Sequence, residues 1–285
     1  MSRQEHVENG PSDRRLRPRA GSSAKSLLLT VLGEFVLPHD GVVWTSTIVR
    51  GLAALRIEER NARQAAARLA EQGVLASEKV GRRARWRLTD RGRSLLATGT
   101  ERIYRFGRRD ESWDGRWSFV LCSVPEDQRA KRHQLRAQLG FAGYGFVAPG
   151  VAASPHAERE ADAASVLRSL DLVTGAIVLR AETGDLVGDP ELLRRTWNLD
   201  ALEVDYEAFL DKFHRRSADT DEDRFVALVE LVHAWRRFPF VDPEMPSRLL
   251  PAHWPGHRAK DLFDAQHAAW SSGANEWYLA LDTGR

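Results

Sequence analysis

Residues 45–93, TSTIVRGLAALRIEERNARQAAARLAEQGVLASEKVGRRARWRLTDRGR, decide how the first third of the chain folds. Thr45, Ser46 and Thr47 offer hydroxyl caps, and Ile48, Val49, Leu52 and Leu55 follow at helical spacing. After a short turn at Arg56, a second helix is predicted from Glu59 to Gln72. Ala62, Ala65, Ala66 and Leu69 fall at i, i+3, i+4 and i+7, so they form its buried face. Gly73 suits the left-handed residue that ends a helix. Residues 77–80 and 85–89 then flank Gly81, Arg82, Arg83 and Ala84 as a hairpin. Thr89 and Asp90 open a further helix through Leu95 and Leu96.

Working outward, Leu27, Leu28, Val31, Leu32 and Phe35 place one more helix before this stretch, and Pro38, His39, Asp40 and Gly41 break it. Three helices followed by a two-stranded ribbon with an arginine tip make a winged helix-turn-helix over residues 27–98. The third helix then carries Arg60, Asn61, Arg63, Gln64 and Arg68 on its outward face. These side chains can donate to guanine or pair bidentately with adenine. Arg82 and Arg83 at the hairpin tip are placed to reach phosphate or a minor groove. The expected partner is duplex DNA.

Charge supports that reading. The net charge is only +2, yet residues 1–109 hold 22 Lys and Arg against 11 Asp and Glu, while the remainder hold 20 against 29. A cationic first part and an anionic second part point to a polyanion partner for the first alone. Residues 1–26 read as a disordered basic tail, and residues 99–112 as a basic linker. The polar N-terminus has no apolar core for export, and no apolar run approaches the ~18–20 residues that span a bilayer, so a cytoplasmic protein without membrane contact is expected. A single cysteine, Cys122, leaves no internal disulfide.

The middle module is expected over residues 113–188. An apolar run from Trp117 to Val124 reads as a strand, and a helix starts at Pro125 and Glu126. Residues 140–147 and 151–154 read as two strands, His156 to Leu170 as a helix, and Ala176 to Leu179 as a last strand. Strand-helix-strand-strand-helix-strand is the order of a ferredoxin-like sandwich, making the whole chain α+β. Residues 189–285 read as a helical C-terminal domain, with a proline-rich stretch at residues 239–255 and a last helix ending near Ser271.

With these elements in place, the chain resembles the PaaX-type repressors. The likeness is carried by residues 60–69 with Gly81-Arg82-Arg83 and residues 87–93; by Trp117 through Pro125 with Gly143-Tyr144-Gly145-Phe146; and by Arg236-Arg237-Phe238-Pro239, Asp242-Pro243, Pro246, Leu249-Leu250-Pro251 and Trp254-Pro255-Gly256. The resemblance implies a dimeric repressor of a catabolic operon, bound to a palindromic operator and released by an aryl acyl-coenzyme A such as phenylacetyl-coenzyme A. It implies a middle domain similar to the CRISPR adaptation nuclease. The first strand here ends Cys122-Ser123-Val124-Pro125, with no aspartate to hold a metal, so no nuclease function is expected.

A polyanionic effector with an apolar end needs clustered cations beside aromatic side chains. Arg236 and Arg237 beside Phe238, with His253 and Trp254, are the candidates; Arg194-Arg195 near Trp197 and Arg215-Arg216 are rivals. No catalytic residue, metal site or cofactor is expected. His253 and His257 are four apart, but Pro255 and Gly256 intervene. The alternatives are a DNA-binding adaptor and a nucleic-acid or acyl-ester enzyme built on the acidic half.

Overall fold

A computed structural model describes residues 23–107 and 113–282. Most of the basic tail, and Arg108 and Arg109 of the linker, lie outside the described residues. The architecture is mixed α+β, with two antiparallel sheets and a helical C-terminal region.

The first helix, α1 (Ala24–Val31), begins two residues before Ser26, where the apolar periodicity sets in. Ser23 caps it: its Oγ accepts the Ser26 amide at 3.2 Å. The helix continues as a wider turn, Leu32–Val36, that buries Phe35. Then come β1 (Val42–Trp44), α2 (Thr45–Ala54) and α3 (Glu59–Glu71), the two helices separated by a turn in which Arg56 has φ +60°. The hairpin pairs β2 (Leu75–Val80) with β3 (Arg83–Leu88). Its turn is Gly81-Arg82 rather than four residues, because Gly81 at φ +60° permits the tighter reversal and leaves Arg83 and Ala84 on the strand. β1 lies against β3, giving the order β1-β3-β2.

α4 (Asp90–Arg105) corrects the linker expectation, since residues 99–105 are helical. Ile103 and Tyr104 pack on the hydrophobic core, and Arg105 pairs with Glu101 one turn back at 3.0 Å. Its start is built by two residues. Thr89 accepts the Gly92 amide at 3.0 Å and donates to the Gly73 carbonyl at 2.6 Å. Gly92 sits so close to the chain that a Cβ there would lie 2.2 Å from the Val74 carbonyl oxygen.

The middle module runs β4 (Trp117–Cys122), α5 (Arg129–Phe141), β5 (Gly145–Ala148), β6 (Val151–Ser154), α6 (Glu160–Ser169) and β7 (Ala176–Ala181), in the expected element order. α5 starts four residues later than expected and runs on through Gly140 and Phe141, which were expected in a strand. A short 3-10 turn at Ala157–Arg159 precedes α6. The sheet order is β5-β6-β4-β7, all neighbours antiparallel. Leu135, Leu139, Ala163 and Leu167 bring both helices onto one sheet face, over Val120, Cys122 and Ala152. Trp117 and Ala153 point the other way, towards Leu192 and Leu193 of α7 (Asp189–Thr196).

α8 (Leu199–His214) and α9 (Asp221–Trp235) follow, the latter opened by a reciprocal cap between Thr220 and Asp223. The short α10 (Phe238–Val241) leads through the proline-rich strap to α11 (Pro255–Asp282). At 28 residues, α11 spans about 42 Å and continues well past Ser271. The Ser-Ser-Gly at residues 271–273 reads as a stop, but α11 runs on through it, with Gly273 facing the Asp221 and Arg224 side chains of α9. Beyond it Ala274 and Tyr278 are buried.

The first and third modules share one hydrophobic core. Leu28, Leu32 and Phe35 join Phe225, Trp235 and Tyr278 in it, and Phe35 lies 4.9 Å from Tyr278, ring to ring. Thr47 and Arg50 of α2 both donate to the Leu281 carbonyl of α11.

Candidate nucleic-acid interface

α3 divides as its spacing requires. Ala62, Ala65, Ala66 and Leu69 are buried, with small alanines allowing close approach to α1 and α2. Arg60, Asn61, Arg63, Gln64 and Arg68 are all exposed. Arg63 is held back along the helix by Glu59 at 2.7 Å, a pair with both side chains more than half exposed. Such a pair contributes little stability and yields readily to a stronger acceptor.

The hairpin follows α3 and is tied to the first turn of α2. The Trp86 indole N–H donates to Thr45 Oγ1 at 3.0 Å, and that hydroxyl donates to the Ala84 carbonyl at 2.9 Å. Glu78 takes up two of the hairpin arginines: Arg85 lies 2.9 Å and Arg87 3.3 Å away. The Arg85 hydrogen bond holds the Glu78 carboxyl below its ordinary value, and the carboxylate in turn raises Arg85. Arg82 and Arg83 are exposed at the tip, with Arg83 passing 6.0 Å from the Trp44 ring centre. All seven sequence-predicted residues are therefore accessible, five on the helix and two on the hairpin.

The expected effector residues are not brought together. Arg236 turns towards α1, donating to Thr30 Oγ1 at 3.0 Å and to the Ser26 carbonyl at 3.1 Å, beside His233 at 3.2 Å from the same hydroxyl. It braces the third module against the first, apart from Arg237, His253 and Trp254, with which the sequence reading grouped it. Arg237 pairs with Asp205, and His253 is exposed. Trp254 is buried and alone among the four lines an inter-module cavity. Of the rival pairs, Arg194 and Arg195 are taken up by Glu191, and Arg216 lies 3.7 Å from Glu230.

That cavity, about 690 Å³, opens where the three modules meet, and a second of about 680 Å³ adjoins it. Arg102, Arg159, Asp242 and Glu244 line both. Asp242 accepts from the Tyr206 hydroxyl, and burial pushes its carboxyl up to about 6 against the lowering effect of that bond. His156 Nε2 donates to the Glu244 carbonyl at 2.8 Å, and burial, then nearby Arg159, lowers its pKa. Glu244 has φ +59°, a left-handed conformation held by these contacts. The sequence reading missed this cluster. Its only signal was Arg102 and Arg105 inside the basic stretch taken for a linker.

Among the described residues, no group of three or more His, Cys, Asp or Glu is placed to hold a metal ion, and no helix is long and apolar enough to cross a membrane.

Three family models match the chain: PaaX-like protein over residues 23–92, PaaX protein central Cas2-like domain over residues 110–193, and PaaX-like protein C-terminal domain over residues 197–280. A curated relative, the Transcriptional repressor PaaX of Escherichia coli (strain K12), is 30% identical over 251 residues, spanning 84% of this chain and 78% of the relative. Among solved structures, the chain is similar to an uncharacterized protein from Mycobacterium tuberculosis, with a TM-score of 0.61 and 21% identity over 90% of this chain and 99% of the other. That last likeness bears on the fold alone.

Proposed function

The chain belongs to the PaaX family, and on that premise we propose that it is a transcriptional repressor that binds duplex DNA as a homodimer. Its first module is read as a winged helix-turn-helix, with α3 in the major groove and the β2–β3 hairpin as the wing. The carrying observation is the division of α3: four small or apolar residues inside, and Arg60, Asn61, Arg63, Gln64 and Arg68 outside beside Arg82 and Arg83. Helix N-terminal residues meet base edges in such docking, which assigns Arg60, Asn61, Arg63 and Gln64 to sequence reading. Arg68, Arg82 and Arg83 are assigned to phosphate or the minor groove.

Two-fold pairing of the middle modules would present two such helices to a palindromic operator. Support comes from β7, one of the two outer strands of the sheet, on which Ile177, Val178 and Leu179 are exposed. An apolar strand edge of this kind calls for a cover. The effector that releases DNA is assigned as an aryl acyl-coenzyme A, the class implied by the family resemblance.

Fluorescence anisotropy with duplex from the gene's own upstream region tests the reading. Binding tighter than to scrambled duplex, steeply weakened by salt and relieved by phenylacetyl-coenzyme A, is the expected result. Equal affinity for both duplexes would overturn the repressor; tight binding indifferent to the thioester would overturn the effector.

A further inference from the structure

Arg102 sits at the meeting point of the three modules with an unusual set of neighbours. Its guanidinium lies 4.4 Å from the ring centre of Phe141 on α5 and 4.6 Å from that of Phe240 on α10. One N–H donates to the Pro239 carbonyl at 2.6 Å. Among the described residues no carboxylate pairs with it and no other acceptor meets it. The two ring centres lie 6.3 Å apart, so the rings meet the guanidinium from adjacent sides rather than sandwiching it. A guanidinium carries five donors in a plane, so the N–H groups turned away from both rings and from Pro239 are the place for a further acceptor.

A second cation stands nearby. Arg159 faces the same two cavities and pairs with Glu244 at 3.0 Å. Of the other lining carboxylates, Glu101 is taken by Arg105 and Asp242 by Tyr206, while Glu158 is exposed to solvent. Asp162 stands exposed at the rim. Phe141 and Phe240 are 64% and 60% exposed, a large apolar surface beside two cations.

We propose that Arg102 and Arg159 form the anion-binding centre of a ligand site shared by all three modules, and that its ligand is an organic anion with an aromatic body. The carboxylate or phosphate head meets the N–H groups of Arg102 that neither the rings nor Pro239 occupy. The body covers Phe240 and Phe141 and extends along the second cavity towards Trp197. The regulatory use of this site rests on the repressor reading above; its existence as a binding site does not. Because the ligand touches α4, α5 and α10, its binding favours the arrangement of modules in which those groups converge.

Calorimetry on the full chain with phenyl phosphate, phenylacetate, inorganic pyrophosphate and benzyl alcohol tests it. At least one of the two aryl anions is expected to bind saturably, one per chain, with pyrophosphate weaker and benzyl alcohol silent; which aryl anion binds tells phosphate from carboxylate. Arg102→Gln should weaken that binding at least about tenfold, the loss of a charge-assisted contact. Phe240→Ala, which keeps the charge, should weaken it too and serves if Arg102→Gln fails to fold. Silence with both aryl anions, pyrophosphate binding as tightly, or wild-type affinity in a folded variant would overturn the site. DNA affinity is measured on the same sample without ligand. A chain that binds DNA but neither aryl anion refutes the site alone; one that binds an anion through Arg102 but no DNA refutes the repressor alone.

Discussion

Trp86 and Thr45 are joined by a hydrogen bond of 3.0 Å, and the same threonine hydroxyl reaches the Ala84 carbonyl at 2.9 Å. One side chain thus fixes the hairpin to the first turn of α2. Thr45→Val removes both bonds and leaves a half-buried indole N–H unmatched. We expect a loss of about 1–2 kcal/mol in urea unfolding. DNA affinity should fall several-fold, because the hairpin loses its set position against α3. Unchanged affinity in a destabilised variant would separate the hairpin from binding.

Arg63 and Arg82 should fail differently. Arg63→Ala should lower affinity for the cognate duplex by about 1–3 kcal/mol while barely changing affinity for scrambled duplex. Arg82→Ala should lower both and reduce the salt slope by about one. Equal losses on both duplexes for Arg63 would place it on phosphate.

Two glycines of α4 offer opposite expectations. Gly92→Ala forces a Cβ to within 2.2 Å of the Val74 carbonyl oxygen, a backbone atom with little room to move. It should cost about 2–3 kcal/mol or prevent folding. Gly99→Ala meets no atom within 4 Å and should stabilise by about 0.5–1 kcal/mol. Melting temperatures of the two variants check both.

Acid should loosen the brace between α1 and α9. Burial, then the Arg236 and Lys212 charges, push His233 down from 6.5 to about 4. Below 6.5 the unfolded chain takes a proton that the folded chain refuses, so this group's contribution falls as pH drops towards about 4. Asp242, raised from 3.8 to about 6, acts in the opposite sense: stability is lost as pH rises through that window. The two are separated by difference. His233→Gln should flatten the acid side of the urea midpoint–pH curve relative to the parent chain; an unaltered curve would show that His233 does not titrate in this way.

Self-association through β7 predicts that Ile177→Lys, on that outer strand, yields monomers by light scattering while leaving the melting temperature near that of the parent at low concentration. A persistent dimer would move the interface elsewhere.

α3 was legible because Ala62, Ala65, Ala66 and Leu69 repeat at helical spacing and Gly73 ends the pattern with a φ of +70°. The middle module was legible in element order, though not at its edges: Gly140 and Phe141 look like strand residues but prolong α5. Other features depend on distant packing. Nothing local reveals that α11 runs on past Gly273 beside α9, or that Arg236 reaches back to Ser26. The inter-module cavities gather Arg102, His156, Tyr206 and Asp242 from positions far apart in sequence, so no spacing rule announces them.

The apolar interior common to the first and third modules has an evolutionary consequence. Phe35 against Phe225 and Tyr278, and Arg50 on the Leu281 carbonyl, make the amino-terminal lobe incomplete without the carboxy-terminal helices. Gene fusion cannot simply exchange one such lobe for another here. New surface properties have to arise by substitution on a lobe whose underside is already spoken for.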